Sequence, residues 1–170
     1  MLLSVCILGM VAASVTSVPA ETNQTAQSGH TDHSHAWLGK WESTKEGEEN
    51  LAQLLDQIRD AIPHYTDKKV THEYIEEGEQ FLHKVKIVDG GQEYEVRFKL
   101  NEEATFHLGN EPDIKYVYKE EGPNKLTVHM KIPSKNKELK ECYNVEGDKI
   151  VKNYESGNVK AKRIYKRVQN

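Results

Sequence analysis

From Val70 to the C-terminus, apolar and polar residues alternate in short runs that are separated by turn signals at regular spacing. In residues 93–100 every second side chain is apolar and the others are charged, and residues 126–132 repeat the alternation. The turn signals lie at residues 76–78, 89–91, 101–103, 109–112, 121–124, 133–136, 146–148 and 156–158. Short strands every 8–12 residues with tight turns are typical of an up-and-down all-β barrel or sandwich.

One segment before Val70 has a different periodicity. Over residues 48–62 the apolar side chains recur at helical spacing, and they form one face with the residues Leu51, Leu54, Leu55, Ile58 and Ile62. Glu48 and Glu49 suit the positive end of a helix dipole, and Pro63 is expected to end the helix. A second short helix over residues 66–71 is weakly indicated.

Nine alternating runs follow this helix, and residues 37–44 predict one more strand before it. We therefore predict an all-β fold, a ten-stranded antiparallel up-and-down β-barrel with a helical lid between strands 1 and 2. A closed barrel leaves no free sheet edge to template aggregation. The apolar face of the lid is expected to cover the core rather than a membrane, because anionic headgroups would repel its acidic opposite face.

The first 36 residues divide into two segments that precede the barrel at 37–170. Residues 1–20 combine an apolar run with small or modest side chains at Val18-Pro19-Ala20, and the run is too short to span a bilayer, which predicts a cleaved signal peptide. Residues 21–36 are polar and aperiodic, which predicts a disordered leader. Asn23 opens an N-glycosylation acceptor, Asn-Gln-Thr. The protein is accordingly expected to be secreted.

Charge and cysteine content narrow the classes of partner. The net charge is −4, and residues 1–20 carry no charged side chain, so cleavage leaves it unchanged. This mild acidity argues against a nucleic-acid partner, which usually needs a basic face. Cys6 leaves with the signal peptide, so Cys142 has no partner for an internal disulfide. We expect a monomer that is stabilised by its core and its hydrogen bonds.

Two short motifs at the ends of the predicted barrel resemble those of fatty-acid-binding proteins of the calycin group. Gly39-Lys40-Trp41 lies in the first strand, and Arg163-Ile164-Tyr165 lies in the last. In that family a helical lid follows the first strand, and the Arg-x-Tyr motif binds the carboxylate of a ligand. The resemblance implies the same lid and barrel in this chain.

Six longer segments resemble the secretory-abundant heat-soluble proteins of tardigrades. They are WLGKWEST at 37–44, FKLNEE at 98–103, IKY at 114–116, IPSKNK at 132–137, NVEGD at 144–148 and AKRIYK at 161–166. That family is similar in fold to fatty-acid-binding proteins. The resemblance implies a secreted protein that stays soluble on heating and protects tissue during drying.

Arg163 and Tyr165 are the first candidate ligand-binding residues. Lysines at 160, 162 and 166 mark the other face of the last strand as solvated, so Arg163 and Tyr165 are expected to point into the barrel. A buried arginine needs a partner, and a carboxylate ligand would supply one. The alternative is that trapped water or an internal acid satisfies it, the candidate acids being Glu73, Glu95 and Glu141. Where the resemblance implies a second arginine, this chain has Tyr143, with Lys140 nearby.

Histidines give no comparable signal for metal binding or catalysis. His30, His33 and His35, with Asp32, could hold a transition metal loosely, but a solvated polar tail is the better interpretation, so no metal site is predicted. The remaining histidines are scattered, and the sequence shows no signature of a nucleophile, a paired-acid site or a phosphate loop. We predict no enzymatic activity and no cofactor.

The leading functional hypothesis is a secreted molecular shield in water-deficient conditions, with client proteins or membranes as non-specific partners on drying. Surface charges of both signs oppose association as the protein concentration rises. The alternative is an extracellular carrier that binds a fatty acid or a similar small apolar ligand in the cavity, through Arg163, Tyr165 and Tyr143.

Overall fold

The computed structural model describes residues 35–107 and 109–169. The predicted signal peptide lies outside the described residues, as do most of the leader, Asn23, His30, Asp32 and His33. Among the described residues, no helix combines the length and the apolar character needed to cross a bilayer.

Ten strands and one α-helix make up the described fold. In chain order they are β1 (Gly39–Glu49), α1 (Leu51–Ile58), β2 (Val70–Glu77), β3 (Gln80–Ile87), β4 (Glu93–Phe98), β5 (Glu103–Phe106), β6 (Ile114–Glu120), β7 (Lys125–Ile132), β8 (Lys137–Glu146), β9 (Lys149–Ser156) and β10 (Val159–Arg167). A single 3₁₀ turn, Pro133–Lys135, joins β7 to β8. The prediction of ten antiparallel strands with a helix between strands 1 and 2 is confirmed.

The strands form one sheet that curls into a nearly closed barrel. Its order is β4-β3-β2-β1-β10-β9-β8-β7-β6-β5, so β1 and β10, the first and last strands, lie side by side. Alternation sets which side chains face inward: Arg163 and Tyr165 are buried, whereas Lys160 and Lys166 are exposed. Buried side chains line the interior of the barrel and continue beneath α1, which packs against β9 and β10.

The barrel has an opening that a fully closed sheet would not have. β4 and β5 do not pair, so the expectation that no sheet edge is free is wrong. The chain crosses this opening at Leu100, which forms a bridge with Tyr118, and the Asn101 amide donates to the Tyr118 carbonyl over 2.7 Å. β5 has only four residues, with Glu103 and Thr105 exposed, and short charged edge strands resist pairing with other chains.

The helix is shorter than predicted. β1 continues to Glu49, which pairs with Lys162 of β10, so Glu48 and Glu49 belong to a strand and not to the helix N-terminus. Asn50 then turns the chain with a positive φ of 53°. α1 ends at Ile58, and residues 59–61 continue as a turn. The five apolar residues predicted to share a face are nevertheless all buried.

The second predicted helix is absent from the segment that precedes β2. Residues 66–69 have no helical structure, and Val70 and Thr71 already pair with Ile87 and Lys86 of β3. The strand begins this early because Val70 and Thr71 are β-branched and fit a buried sheet position. The segment 66–69 instead bends at Asp67 and Lys68 and contacts Arg163, as described below.

Two tryptophans and Arg167 seal one part of the barrel. Trp37, which precedes β1, and Trp41 are fully buried, and the Trp41 indole donates to the Trp37 carbonyl over 2.9 Å. The Arg167 guanidinium lies 3.9 Å from the ring centroid of Trp41. Gly39 passes so close that a Cβ there would lie 2.8 Å from Arg167 Nη1.

His35 and Ala36, which were assigned to the leader, contact the barrel. His35 Nδ1 lies 2.7 Å from Glu120 Oε1, to which the Trp37 indole also donates over 2.9 Å. The Ala36 amide donates to the Pro123 carbonyl over 2.9 Å.

Candidate ligand-binding site

A cavity of about 100 Å³ lies inside the barrel. Leu51 of α1 contributes to its lining, so the helix covers part of it. Its apolar lining includes Val85, Ile87, Val96, Ile114, Val128 and Met130. Polar side chains from six strands complete the lining, among them His72, His83, Tyr118, Glu141, Lys152 and Arg163. A mostly apolar cavity with a few polar groups is the usual form of a small-molecule site.

All three residues predicted to bind a ligand line this cavity. Arg163 and Tyr165 come from β10 and Tyr143 from β8, and each is at most 3% exposed. The Tyr165 and Tyr154 hydroxyls lie 3.1 Å apart. Lys140, the nearby cation, is exposed because it alternates with the inward residues of β8. The structure thus brings Arg163, Tyr165 and Tyr143 together at the cavity, whereas Lys140 lies on the outer face.

Arg163 is held mainly by the backbone of the segment before β2. Its Nη1 donates to the Thr66 carbonyl over 3.1 Å, and its Nη2 donates to the Asp67 and Lys68 carbonyls over 3.1 and 2.6 Å. Nε lies 3.3 Å from Glu48 Oε2, in an ion pair with side chains 3% and 19% exposed. Arg163 therefore ties the end of β1 to the segment 66–68.

The sequence did not identify this acid. Among the described residues, the carboxylate that pairs with Arg163 is Glu48 and not Glu73, Glu95 or Glu141. Glu48 was missed because it was assigned to the helix, whereas the irregular pairing of β1 with β10 between Thr44 and Glu49 brings it beside Arg163.

Glu141 instead pairs with Lys152, a cation that sequence reasoning missed. Lys152 Nζ lies 2.9 Å from Glu141 Oε1, and the two side chains are 2% and 1% exposed. The signal was present in the sequence, because Lys152 alternates in phase with Ile150 and Tyr154, which are inward positions of β9. A lysine at such a position requires a partner.

Tyrosine side chains contact both members of this buried ion pair. The Tyr65 and Tyr143 hydroxyls donate to Glu141, the second over 2.5 Å. Burial, reinforced by the adjacent Glu141 carboxylate, raises the pKa of both phenols well above 10, so both stay protonated and donate. Lys152 Nζ also lies over the rings of Tyr143 and Tyr154, 4.7 and 4.8 Å from their centroids.

Two histidines that appeared scattered in the sequence meet inside the barrel. His72 Nδ1 lies 2.7 Å from His83 Nε2, and His83 Nδ1 lies 2.9 Å from the Tyr118 hydroxyl. Burial first, and the charge of Lys152 second, lower the pKa of both histidines well below 6.5. Burial raises the pKa of Tyr118 well above 10. The three groups form an uncharged hydrogen-bonded chain.

His64 is a further neutral group at the cavity. Burial lowers its pKa to about 4, against an opposing effect of the Glu141 charge. Its ring lies 5.0 Å from that of Tyr94 and 6.1 Å from that of Phe106. Among the described residues, no group accepts from or donates to its buried Nδ1 atom. This orphaned nitrogen is available to a polar atom inside the cavity.

Residues 35–107 and 109–169 contain no group of three or more histidine, cysteine or acidic side chains arranged to hold a metal ion. His107 and His129 lie on the outer surface, where they contact Asp113 and Glu138. These findings concern only the part of the chain that the structure describes.

Comparison with known proteins gives relatives over most of the chain, although no protein-family model matches it. Secretory-abundant heat-soluble protein 1 of Ramazzottius varieornatus is 36% identical over 165 residues, which are 96% of this chain and 94% of the relative. A crystal structure of a secretory-abundant heat-soluble protein from the same organism superposes with a TM-score of 0.71 and 36% identity, covering 78% of this chain and 96% of the other.

A more distant structure shares the fold alone. The Schistosoma mansoni fatty-acid-binding protein, solved in complex with arachidonic acid, superposes with a TM-score of 0.68 at 20% identity. It covers 81% of this chain and 99% of that one. The predicted architecture, a fatty-acid-binding-protein-like barrel, agrees with this comparison.

Proposed function

This chain belongs to the family of secretory-abundant heat-soluble proteins, and from that premise we propose that it is a secreted protein that shields other molecules when water is lost. Membership at 36% identity supports a heat-soluble barrel protein. The shielding role is inferred from the surface of the barrel.

The observation that carries the proposal is the polarity of that surface. Among the described residues, Val88, at 41%, is the only large hydrophobic side chain that is exposed. Lysines and glutamates of neighbouring strands pair over the outer face, including Lys84 with Glu95, Lys115 with Glu103, Lys162 with Glu49 and Lys166 with Glu46. Such pairs add little to stability, but interspersed charges of both signs oppose self-association as water leaves.

The same surface supplies hydrogen-bonding groups to its neighbours. During drying, a protein or a lipid headgroup loses the water that satisfied its polar atoms, and unsatisfied polar groups are costly. Exposed ammonium and carboxylate groups on a rigid barrel replace part of that water. The shield in this proposal therefore acts through many weak, non-specific contacts.

Secretion and glycosylation are part of the proposal. We propose that residues 1–20 direct export and are removed, and that Asn23 carries a glycan. The mass of protein purified from a secreting eukaryotic culture, before and after enzymatic removal of N-glycans, tests both. A mass that includes residues 1–20 would reject cleavage, and a mass unchanged by the enzyme would reject glycosylation. Native mass spectrometry of the same sample tests the expected monomer.

A drying assay tests shielding. Lactate dehydrogenase is dried with residues 21–170 of this chain, or with an equal mass of serum albumin, and its activity is measured after rehydration. The proposal expects more activity with this protein, and protection no better than that by albumin would reject it. A control that replaces Lys84, Glu95, Lys115 and Glu103 with glutamine keeps the net charge and removes two surface pairs. Weaker protection by this control would support the surface as the cause.

A second candidate function is the carriage of a small apolar ligand. The observation that favours it is the cavity itself, into which Arg163, Tyr165 and Tyr143 converge. If Arg163→Ala leaves the binding of a fluorescent fatty acid unchanged, these residues do not form a carboxylate site. The two candidates are compatible, since shielding uses the outer surface and carriage uses the interior.

A further inference from the structure

Both cations that line the cavity are already neutralised by the protein. Lys152 pairs with Glu141 at 2.9 Å, and Arg163 pairs with Glu48 at 3.3 Å. Glu141 lines the cavity beside Lys152, so a ligand that approaches the lysine also meets the carboxylate. An anionic head would have to displace one of these two acids or be buried beside it.

Arg163 has little hydrogen-bonding capacity left for a ligand. Of its five N–H groups, three donate to the Thr66, Asp67 and Lys68 carbonyls, and Nε faces Glu48. A bidentate contact with a ligand carboxylate needs two free N–H groups on one side of the guanidinium. Two lack an acceptor among the described residues, one on Nη1 and the Nε–H that faces Glu48 at 3.3 Å. These two do not lie on one edge of the guanidinium, because Nε shares its edge with Nη2.

The other polar groups of the cavity are uncharged and include one with an unused nitrogen. His72, His83 and Tyr118 are bonded to one another in a neutral chain. His64 Nδ1 is buried and has no partner among the described residues. A neutral imidazole nitrogen either accepts from a hydroxyl or donates to a carbonyl, according to its tautomer.

We propose that the cavity binds an uncharged amphiphile, with an apolar chain and a hydroxyl or carbonyl head that bonds to His64, and that Glu48 and Glu141 exclude carboxylates. This selectivity rests on the second candidate function, the carriage of a small apolar ligand. It reverses the selectivity of an Arg-x-Tyr carboxylate site while keeping the same two residues. A carboxylate that is buried without a counter-ion is strongly disfavoured, so the two classes of ligand should differ strongly in affinity.

Titration calorimetry with two ligands of equal chain length tests the selectivity. Octan-1-ol and octanoate are each titrated into residues 21–170 at pH 7.4, where octanoate is ionised. The proposal expects the alcohol to bind at least about tenfold more tightly. Equal affinity, or tighter binding of octanoate, would overturn the selectivity and leave carriage standing. Binding of neither ligand would overturn both, and the drying assay would still decide the shielding function.

A charge variant tests the cause. Glu48→Gln keeps the size of the side chain but removes the charge that neutralises Arg163, so octanoate affinity should rise at least about tenfold. The matched control is Glu49→Gln, which removes the same charge from the next residue, where the side chain is 61% exposed and pairs with Lys162 on the outer face. Circular dichroism confirms that both variants fold. A folded Glu48→Gln variant that still excludes octanoate, or a Glu49→Gln variant that gains it equally, would contradict the proposal.

The affinity for octan-1-ol also tests the proposed hydrogen bond between His64 and the ligand head. His64→Phe keeps an aromatic ring beside Tyr94 and Phe106 but removes both nitrogens. Octan-1-ol should bind about tenfold more weakly to this variant, because its hydroxyl enters the cavity without a partner. An unchanged affinity would reject His64 as the group that recognises the head.

Discussion

Lys152 Nζ lies 2.9 Å from Glu141 Oε1 in the interior of the barrel, with both side chains at most 2% exposed. The two residues come from neighbouring strands and are diagonal in the register, since Tyr143 is opposite Lys152 and Tyr154 is opposite Glu141. A buried ion pair is not in itself a source of stability, because desolvation offsets most of the attraction. Replacing only one partner, however, leaves the other charge buried without a counter-ion, which destabilises the protein.

Lys152→Met should destabilise the protein by about 3–5 kcal/mol, because it leaves the Glu141 charge buried without a counter-ion. The free energy of unfolding in urea measures the loss. Lys152→Met combined with Glu141→Gln should recover part of it, since no charge then remains at the site.

The control for this prediction is a lysine of the same strand at the surface. Lys149 pairs with Glu146 at 3.3 Å, and its side chain is 44% exposed. Lys149→Met should therefore cost less than about 1 kcal/mol. If the two lysine variants lose the same stability, Lys152 is not required as the counter-ion of Glu141.

Gly39→Ala should destabilise the barrel where β1 begins. Gly39 has a φ of +102°, and an added Cβ would lie 2.8 Å from Arg167 Nη1. Arg167 cannot move freely, because it donates to the Leu38 and Ala36 carbonyls and lies over Trp41. Backbone strain alone costs about 1–3 kcal/mol, and the contact should add to it. The melting temperature measures the change.

Gly122→Ala separates backbone strain from the contact. Gly122 has a φ of +119°, and a Cβ there would meet no atom within 4 Å. Its alanine variant should lose less stability than Gly39→Ala. If the two lose the same amount, the proximity of Arg167 has no energetic consequence.

The sequence predicted which side chains face the interior, because alternation depends only on neighbours along the chain. Arg163 and Tyr165 follow the phase of β10, and Leu54 and Ile58 follow the period of α1. The same alternation places Lys152 inside, because it is in phase with the buried Ile150 and Tyr154 of β9.

The partners of these side chains depend on register and on irregular backbone, which alternation does not encode. Glu48 reaches Arg163 because β1 continues past an irregularity, although the residues 48–62 have a helical period. His72 and His83 meet because Tyr74 is opposite His83 and His72 is opposite Val85. The opening beside β5 likewise depends on strand pairing and not on local sequence.

Leu54→Ala should show that α1 is part of the folded core. Leu54 is fully buried and belongs to the same cluster as Ile132, Leu139 and Tyr154. Truncating a buried leucine to alanine costs about 2–5 kcal/mol. Gln53→Ala, at an exposed position of the same helix, should change stability by no more than about 0.5 kcal/mol. Urea unfolding compares them, and equal losses would mean that the helix is not coupled to the barrel.

Stability should fall as the solution is acidified from pH 7 to pH 5, because burial lowers the pKa of His64 from 6.5 to about 4. Between these values the unfolded chain binds a proton that the folded chain does not, so unfolding becomes more favourable as the pH falls. His72 and His83 act in the same direction. His64→Phe should lose about 1–2 kcal/mol less than the unmodified protein over this interval. If the His64→Phe variant loses as much as the unmodified protein, His64 is not buried as a neutral group.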